Sequence, residues 1–243
     1  MAMLEDLDRS ASNNLGPAVA EPLLYEGQRL DQPTFHALYE RMPEDFKAEL
    51  IDGVVYLMNM PLHADHAEPD SLMIGCLVAY SVQTPGTRVR NNLSTKLGAV
   101  SEVQPDSCLA IEPNHGGRAR IDATGIMVNA PELVVEISKS TLRRDLEAKK
   151  RVYEQAGALE YVVFDVSARK FHWFVLHEGK LELLALDADG SYHSVAFPGL
   201  WINEEAFASN DGLAAMAALW RGLASADHAR FVEQLAANRA NRP

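Results

Sequence analysis

The stretch Pro131-Glu132-Leu133-Val134-Val135-Glu136-Ile137-Ser138 decides the fold. From Leu133 to Ile137 the run is rich in β-branched residues, which predicts a strand covered on both faces. It leads directly into a helix from about Thr141 to Ala156, and Gly157 is the natural left-handed stop. A covered strand feeding a helix belongs to a sheet with helices packed on it. Glu136 is out of place there. An ionised carboxylate within such a strand costs several kcal/mol unless it is paired or bound to metal. In the following helix Leu142, Leu146, Lys149, Tyr153 and Ala156 follow 4-3-4-3 spacing, so Lys149 points inward with the apolar residues while Lys150 and Arg151 point elsewhere. The two residues therefore form either a buried ion pair or half of an active site, and by themselves they do not choose between the two.

Working outward, Asp52-Gly53 is a type I′ turn signal between Glu49-Leu50-Ile51 and Val54-Val55-Tyr56-Leu57-Met58, which predicts a hairpin. Before it, Thr34 is placed to cap a short helix with Phe35, Leu38, Tyr39 and Met42 at helical spacing, ended by Pro43. After it, Leu72 to Val82 is apolar nearly all round and reads as a helix buried on most of its surface, broken by Pro85-Gly86. Short strands are expected at Thr87 to Arg90, Thr95 to Leu97 and Ser107 to Ile111. Others follow at Tyr161 to Val166, Phe171 to Leu176, Leu181 to Leu186 and Phe197-Pro198-Gly199-Leu200. The C-terminal part is helical, with Leu213, Met216, Trp220 and Leu223 forming one stripe and Phe231 and Leu235 a weaker one. Residues 1–22 read as a poorly ordered tail, 23–205 as the main domain and 206–243 as a helical extension. The fold class is α/β (α+β), a mixed sheet flanked by helices.

The chain has 243 residues, and its 22 Lys and Arg against 34 Asp and Glu give a formal charge of -12. That excludes a polycation wrapping nucleic acid by bulk electrostatics, so any such binding must use a local patch. Lys139 to Arg151 supplies one: six basic residues against Asp145 and Glu147 give +4, leaving -16 for the rest. Lys139, Arg143 and Arg144 are the candidate phosphate contacts. The longest apolar run, Leu72 to Tyr80, is far shorter than the roughly 20 residues of a bilayer-spanning helix. With acidic residues at the N-terminus, the expected location is cytoplasmic, away from membranes. Cys76 and Cys108 lack any paired spacing and read as core residues. His63 and His66 are the only close histidine pair, without further zinc-ligand spacing.

A third group decides between ion pair and active site. Asp106 follows Pro105 at the mouth of the Ser107 to Ile111 strand. Two carboxylates can hold a hard cation such as Mg²⁺, and a nearby lysine can offset charge on a phosphoryl group. The order Pro105-Asp106, then Glu136-Ile137-Ser138, then Lys149 resembles the PD-(D/E)XK nuclease superfamily. More closely, five stretches resemble the Uma-type restriction endonuclease family over roughly residues 25 to 205. They are Glu49 to Gly53, Pro131 to Ser138, Asp145 to Lys149, Gly157 with Glu160-Tyr161, and Phe197 to Leu200. The usual lysine position of the superfamily holds Ser138 instead, and the resemblance implies that Lys149 has taken over its role.

That resemblance implies a restriction-endonuclease-like fold and metal-dependent hydrolysis of DNA phosphodiester bonds. Asp106 and Glu136 would hold Mg²⁺, with Mn²⁺ as a substitute, and Glu49 would complete the catalytic set. The backbone carbonyl of Ile137 would add a ligand, and His66 would support the site from behind. A homodimer is expected from the apolar C-terminal helices and the Phe171 to Leu186 strand pair, and it would suit cutting two strands. The competing expectations are an inactive nuclease-fold binding module, and a metal-dependent hydrolase acting on RNA or nucleotides.

Overall fold

In the computed structural model the described residues are 23–58 and 64–240; the tail expected over 1–22, and His63, lie outside them. The chain enters through α1 (Gln32–Tyr39) and the hairpin of β1 (Ala48–Ile51) and β2 (Val54–Leu57). Asp52 and Gly53 both take positive φ, 49° and 74°, as a type I′ turn requires. Then come α2 (Ala64–Gln83), β3 (Thr87–Asn91), β4 (Thr95–Lys96), β5 (Glu102–Val103), β6 (Ser107–Ile111), β7 (Arg120–Ile121), β8 (Met127–Val128) and β9 (Leu133–Ser138). A helical rod follows, made of α3 (Leu142–Arg144), a π-helical turn (Asp145–Lys149) and α4 (Lys150–Ala156). The chain continues through β10 (Glu160–Asp165), β11 (Lys170–His177), β12 (Lys180–Leu183), β13 (Ser191–His193) and β14 (Trp201–Asn203). It ends in α5 (Glu204–Ala208), α6 (Gly212–Leu223) and α7 (Ala226–Ala240).

The strands form two six-stranded mixed sheets, ordered β12-β11-β10-β9-β6-β3 and β2-β1-β5-β4-β8-β7, and a separate β13-β14 pair. In the first sheet β9 and β10 are parallel and their other neighbours antiparallel, which places β9 inside, with all six residues buried. Its alternation sorts two cores. Leu133, Val135 and Ile137 join Met73, Leu77 and Tyr80 of α2 and Leu219 of α6, whereas Val134 joins Tyr161, Val163 and, from the rod, Val152 and Tyr153. Glu136 has the parity of Val134, so it faces the rod. The hairpin is sorted in the same way. Leu50 and Val55 pack with Phe35 in a third core, and Ile51, of the other parity, packs into the rod-side core. Glu49 shares that parity.

Several expectations change. The cap of α1 is Asp31, whose side chain accepts from Thr34 N–H, and not Thr34 itself. The helix expected from Leu72 begins at Ala64 with Pro69 inside it, and it buries one face only, since Val78 and Val82 are exposed. Phe197 to Leu200 is a turn between β13 and β14, not a strand; Tyr80 donates its hydroxyl hydrogen bond to the Pro198 carbonyl there, at 2.9 Å. The expected stripe of α6 is only half right: Leu213 is 83% exposed and Trp220 50%, while Ala215, Ala218, Leu219 and Gly222 face inward.

Small residues win on α6 because its backbone closes on the turn before β14. A Cβ at Gly222 would lie 2.3 Å from the Gly199 carbonyl oxygen and 2.7 Å from Trp201 Cγ, whereas one at Gly75 of α2 would meet only the tip of Met216, at 3.6 Å. Gly222→Ala should therefore destabilise the fold by about 1–3 kcal/mol through overpacking. Gly75→Ala should be neutral or gain up to ~1 kcal/mol from helix propensity. Urea melts of the two variants check the contrast, and equal midpoints would contradict the close approach.

Candidate active site

Three distant pieces of chain meet on the rod side of β9. Lys149, from the end of the π turn, places its Nζ 2.7 Å from Glu136 Oε1 and 2.9 Å from Glu49 Oε1, and all three residues are buried. Glu49 Oε1 also accepts from Gln104 N–H at 2.8 Å, while its Oε2 is buried with no partner among the described residues. Tyr153, one turn beyond Lys149, reaches Glu136 Oε1 with its hydroxyl at 3.5 Å.

The rod brings Lys149 inward, as its sequence spacing predicts, but the most buried stripe is not the one expected: within the π turn Asp145 and Lys149 are buried whereas Leu142 and Leu146 are only half-buried. Asp145 uses this position to tie the rod to the end of β9: its Oδ2 accepts from Ser138 Oγ and from Thr141 Oγ1, both at 2.6 Å. The hydroxyl of Tyr161 donates to the Asp145 carbonyl at 3.0 Å, which anchors the turn from the sheet below.

Asp106 arrives by strand register. Ser107 pairs with Val135, so the preceding residue comes alongside Glu136. Its Oδ2 accepts the Ile137 N–H at 2.7 Å, and His66 Nε2 of α2 lies 3.6 Å from the same oxygen. Asp70, one turn on from His66, shares this corner, with a buried Oδ1 that has no partner among the described residues.

Burial alone would lower the Lys149 pKa, but Glu136 and Glu49 outweigh it and raise the pKa, so the ammonium stays charged. Burial pushes Glu136 well above the usual carboxylate range; Lys149 opposes this, and Asp106, Asp145 and Glu49 add to it. Hydrogen bonding to Asp106 raises the His66 pKa against burial. Burial, assisted by Asp106 and opposed by His66, brings the Asp70 carboxyl up to about 6. The corner thus holds more carboxyl groups than the two cationic side chains Lys149 and His66. Among the described residues no three His, Cys, Asp or Glu side chains group closely enough to cage an ion by themselves. Two carboxylates of hard oxygen, Asp106 and Glu136, suit instead a hard divalent cation that keeps several of its waters, and the unpartnered Glu49 oxygen fits the same chemistry.

Of the residues singled out in the sequence, Glu49, Asp106, Glu136, Lys149 and His66 are brought into one neighbourhood. The basic candidates sit along its rim: Lys139 pairs with Asp65, Arg143 with Glu147 at 3.3 Å, and Arg144 lies over the Tyr56 ring, 5.3 Å from its centroid. Asp70 and Asp145 escaped the reading. The first has the helical i+4 spacing from His66 as its signal, masked by Pro69; the second has the same spacing before Lys149, but lies off the apolar stripe read through Leu142 and Leu146.

Residues 33–205 match the Uma2 family, described as "Putative restriction endonuclease". The chain belongs to this family. A solved structure described as a putative nuclease belonging to DUF820, from Anabaena variabilis, superposes with a TM-score of 0.54 at 14% identity, covering 72% of this chain and 97% of that one. At that identity the likeness establishes the shared fold. No curated protein matches the chain. The family is one of nucleases, and among the described residues no helix is long and apolar enough to cross a membrane.

Removing the cation from between two buried carboxylates leaves them uncompensated. Lys149→Ala should therefore lose about 3–5 kcal/mol of stability, measured by chemical denaturation without divalent metal; a loss under ~1 kcal/mol would show that the pair is open to solvent. Asp70 gives a pH-dependent counterpart. Its folded pKa of about 6 lies above the ordinary 3.8, so its charge works against folding increasingly as pH rises between those values. In EDTA, Asp70→Asn should raise the melting temperature at neutral pH, with the gain vanishing toward the acid end of that window. A gain independent of pH would contradict this.

Proposed function

We propose that this protein is a divalent-metal-dependent endonuclease that hydrolyses DNA phosphodiester bonds. The observation that carries the reading is the buried Lys149 ammonium between Glu136 and Glu49, with Asp106 brought alongside by the β6–β9 register, in a chain of a restriction endonuclease family. Asp106 and Glu136 would hold Mg²⁺ or Mn²⁺, with the Ile137 main-chain carbonyl as a further oxygen and Glu49 completing the set. When bound, the cation supplies positive charge to a phosphoryl oxygen and makes a bound water more acidic.

The remaining work falls to the protein's own groups. Lys149, charged because two carboxylates flank it, serves as a fixed positive group that stabilises negative charge developing on the phosphoryl oxygens, rather than as the base that takes a proton from water. The Ile137 N–H holds one oxygen of Asp106 in place, and His66 approaches the same oxygen, so the carboxylate is oriented before any ligand arrives. Two of the three basic candidates, Lys139 and Arg143, are paired with carboxylates on the exposed rim, where phosphate can exchange for their partners.

The decisive test is cleavage of supercoiled plasmid, single-stranded DNA and RNA with added Mg²⁺ or Mn²⁺. Asp106→Asn and Glu136→Gln keep side-chain shape, and each should lower the rate at least ~100-fold with a folded spectrum retained. EDTA should abolish cleavage of the wild-type protein. Wild-type rates in Glu136→Gln would sink the mechanism, and cleavage confined to RNA would replace the substrate. We also read the protein as a homodimer, supported by Leu183 and Leu186 exposed beyond β11 and by Leu213 and Trp220 exposed on α6. Sedimentation at micromolar concentration should give twice the chain mass.

A further inference from the structure

The cations of the Lys139 to Arg151 segment are not equivalent. Lys139 pairs with Asp65, Arg143 with Glu147, Lys149 with Glu49 and Glu136, and Arg151 with Asp52. Lys150 rests over the Phe174 ring, 4.8 Å from its centroid. Arg144, like Lys150, pairs with no carboxylate among the described residues, and it differs from all of them in its donors: its Nε is buried without a hydrogen-bond partner there, and its Nη2 has only the Met58 sulfur, at 3.6 Å. Its guanidinium is held over Tyr56, a contact that fixes the long side chain and reduces the rotamer freedom it would lose on gripping a ligand.

The position of this stack is set by the same elements that build the catalytic corner. Tyr56 on β2 is the direct cross-strand partner of Glu49 on β1, so both side chains leave the same face of the hairpin. Arg144 immediately precedes the π turn that delivers Lys149. Between the hairpin and the rod lies a groove of about 430 Å³, lined by Tyr56, Ser140, Thr141, Arg143, Arg144, Glu147 and Ala148. The groove is open to solvent along its length rather than enclosed. Its carboxylate, Glu147, is already engaged by Arg143, and the hydroxyls of Ser140 and Thr141 lie where the chain leaves β9.

We propose that Arg144, held by Tyr56, forms a phosphate subsite that seats the DNA backbone next to the bond being cut. This deepens the nuclease reading and rests on it. A guanidinium offers two parallel N–H groups to one phosphate, which a lysine ammonium does not, and an unpaired one beside an acidic catalytic corner gives the backbone a fixed point of attachment where the surrounding charge repels it. Arg144 is thereby a binding and positioning residue, and Tyr56 positions it.

The test is fluorescence anisotropy of a short labelled DNA duplex with the full chain, Ca²⁺ replacing Mg²⁺, over a range of salt concentrations. Arg144→Ala should weaken binding about tenfold and flatten the salt dependence by roughly one counterion. Arg144→Lys should keep the slope yet bind less tightly, because the charge remains and the fork is lost. Tyr56→Leu should also weaken binding with the slope unchanged, and Arg143→Ala should cost less than about threefold. Equal effects of Arg143→Ala and Arg144→Ala, or wild-type affinity in Arg144→Ala, would overturn the subsite while leaving the cleavage mechanism intact. Cleavage persisting in Glu136→Gln alongside the Arg144 effect would remove the mechanism and keep the subsite. Failure of the wild-type protein to bind DNA would overturn both.

Discussion

A lysine ammonium enclosed by two carboxylates, with no water-facing side, is the constraint to which the rest of this structure conforms. Desolvating three charges is expensive, and their mutual attraction repays it only when the geometry is close. Here the two contacts are 2.7 and 2.9 Å, and they require three independent phases to agree. The parity of β9 must turn Glu136 toward the rod, the parity of the hairpin must turn Glu49 the same way, and the rod must be wound so that Lys149 falls between them. A one-residue slip in either strand would send its glutamate to the opposite face and leave the ammonium unmatched.

The winding of the rod meets this demand through a π turn, and its cost is offset by local ties. Asp145 takes hydrogen bonds from Ser138 and Thr141, and Tyr161 holds the carbonyl of Asp145 from below. Two ionisable residues of this turn point inward, Asp145 to anchor the rod and Lys149 to enter the charged corner. In a regular α-helix Asp145 and Lys149 would also share a face, but the half-buried Leu142 and Leu146 show how far the apolar stripe has shifted from the simple spacing.

What the sequence revealed follows from how local each signal is. The covered strand around Glu136, the Asp52-Gly53 hairpin and the inward Lys149 depend on near neighbours, and they stand in the structure as read. So does the mixed sheet with helices on its faces, and the family of the chain. Two-residue strands such as β5, β7 and β8 carry no period to detect, because they are defined by their partners and not by their own residues. Pro69 hid the first turns of α2, and with them the link from His66 to Asp70. On α6, large side chains dominated the reading, whereas the close approach to Gly199 selects small ones, a feature visible only once both segments are placed. Glu49, Asp106, Glu136 and Lys149 were legible because each sits in or beside a clear strand or helix signal, and His66 entered through the family resemblance; Asp145 lies in the expected helix but off its apolar stripe, and Asp70 in the turns that Pro69 hid.

The Glu49 and Lys149 side chains that touch across the site lie 100 residues apart in sequence. No fragment of the nascent protein that lacks the rod can assemble the charged corner, and a hairpin emerging early has nothing to close upon. Completion of the global fold therefore acts as a clock. During synthesis the buried charge cluster can close only after the chain has passed β9 and the rod has docked, so unfinished chains carry no assembled cluster.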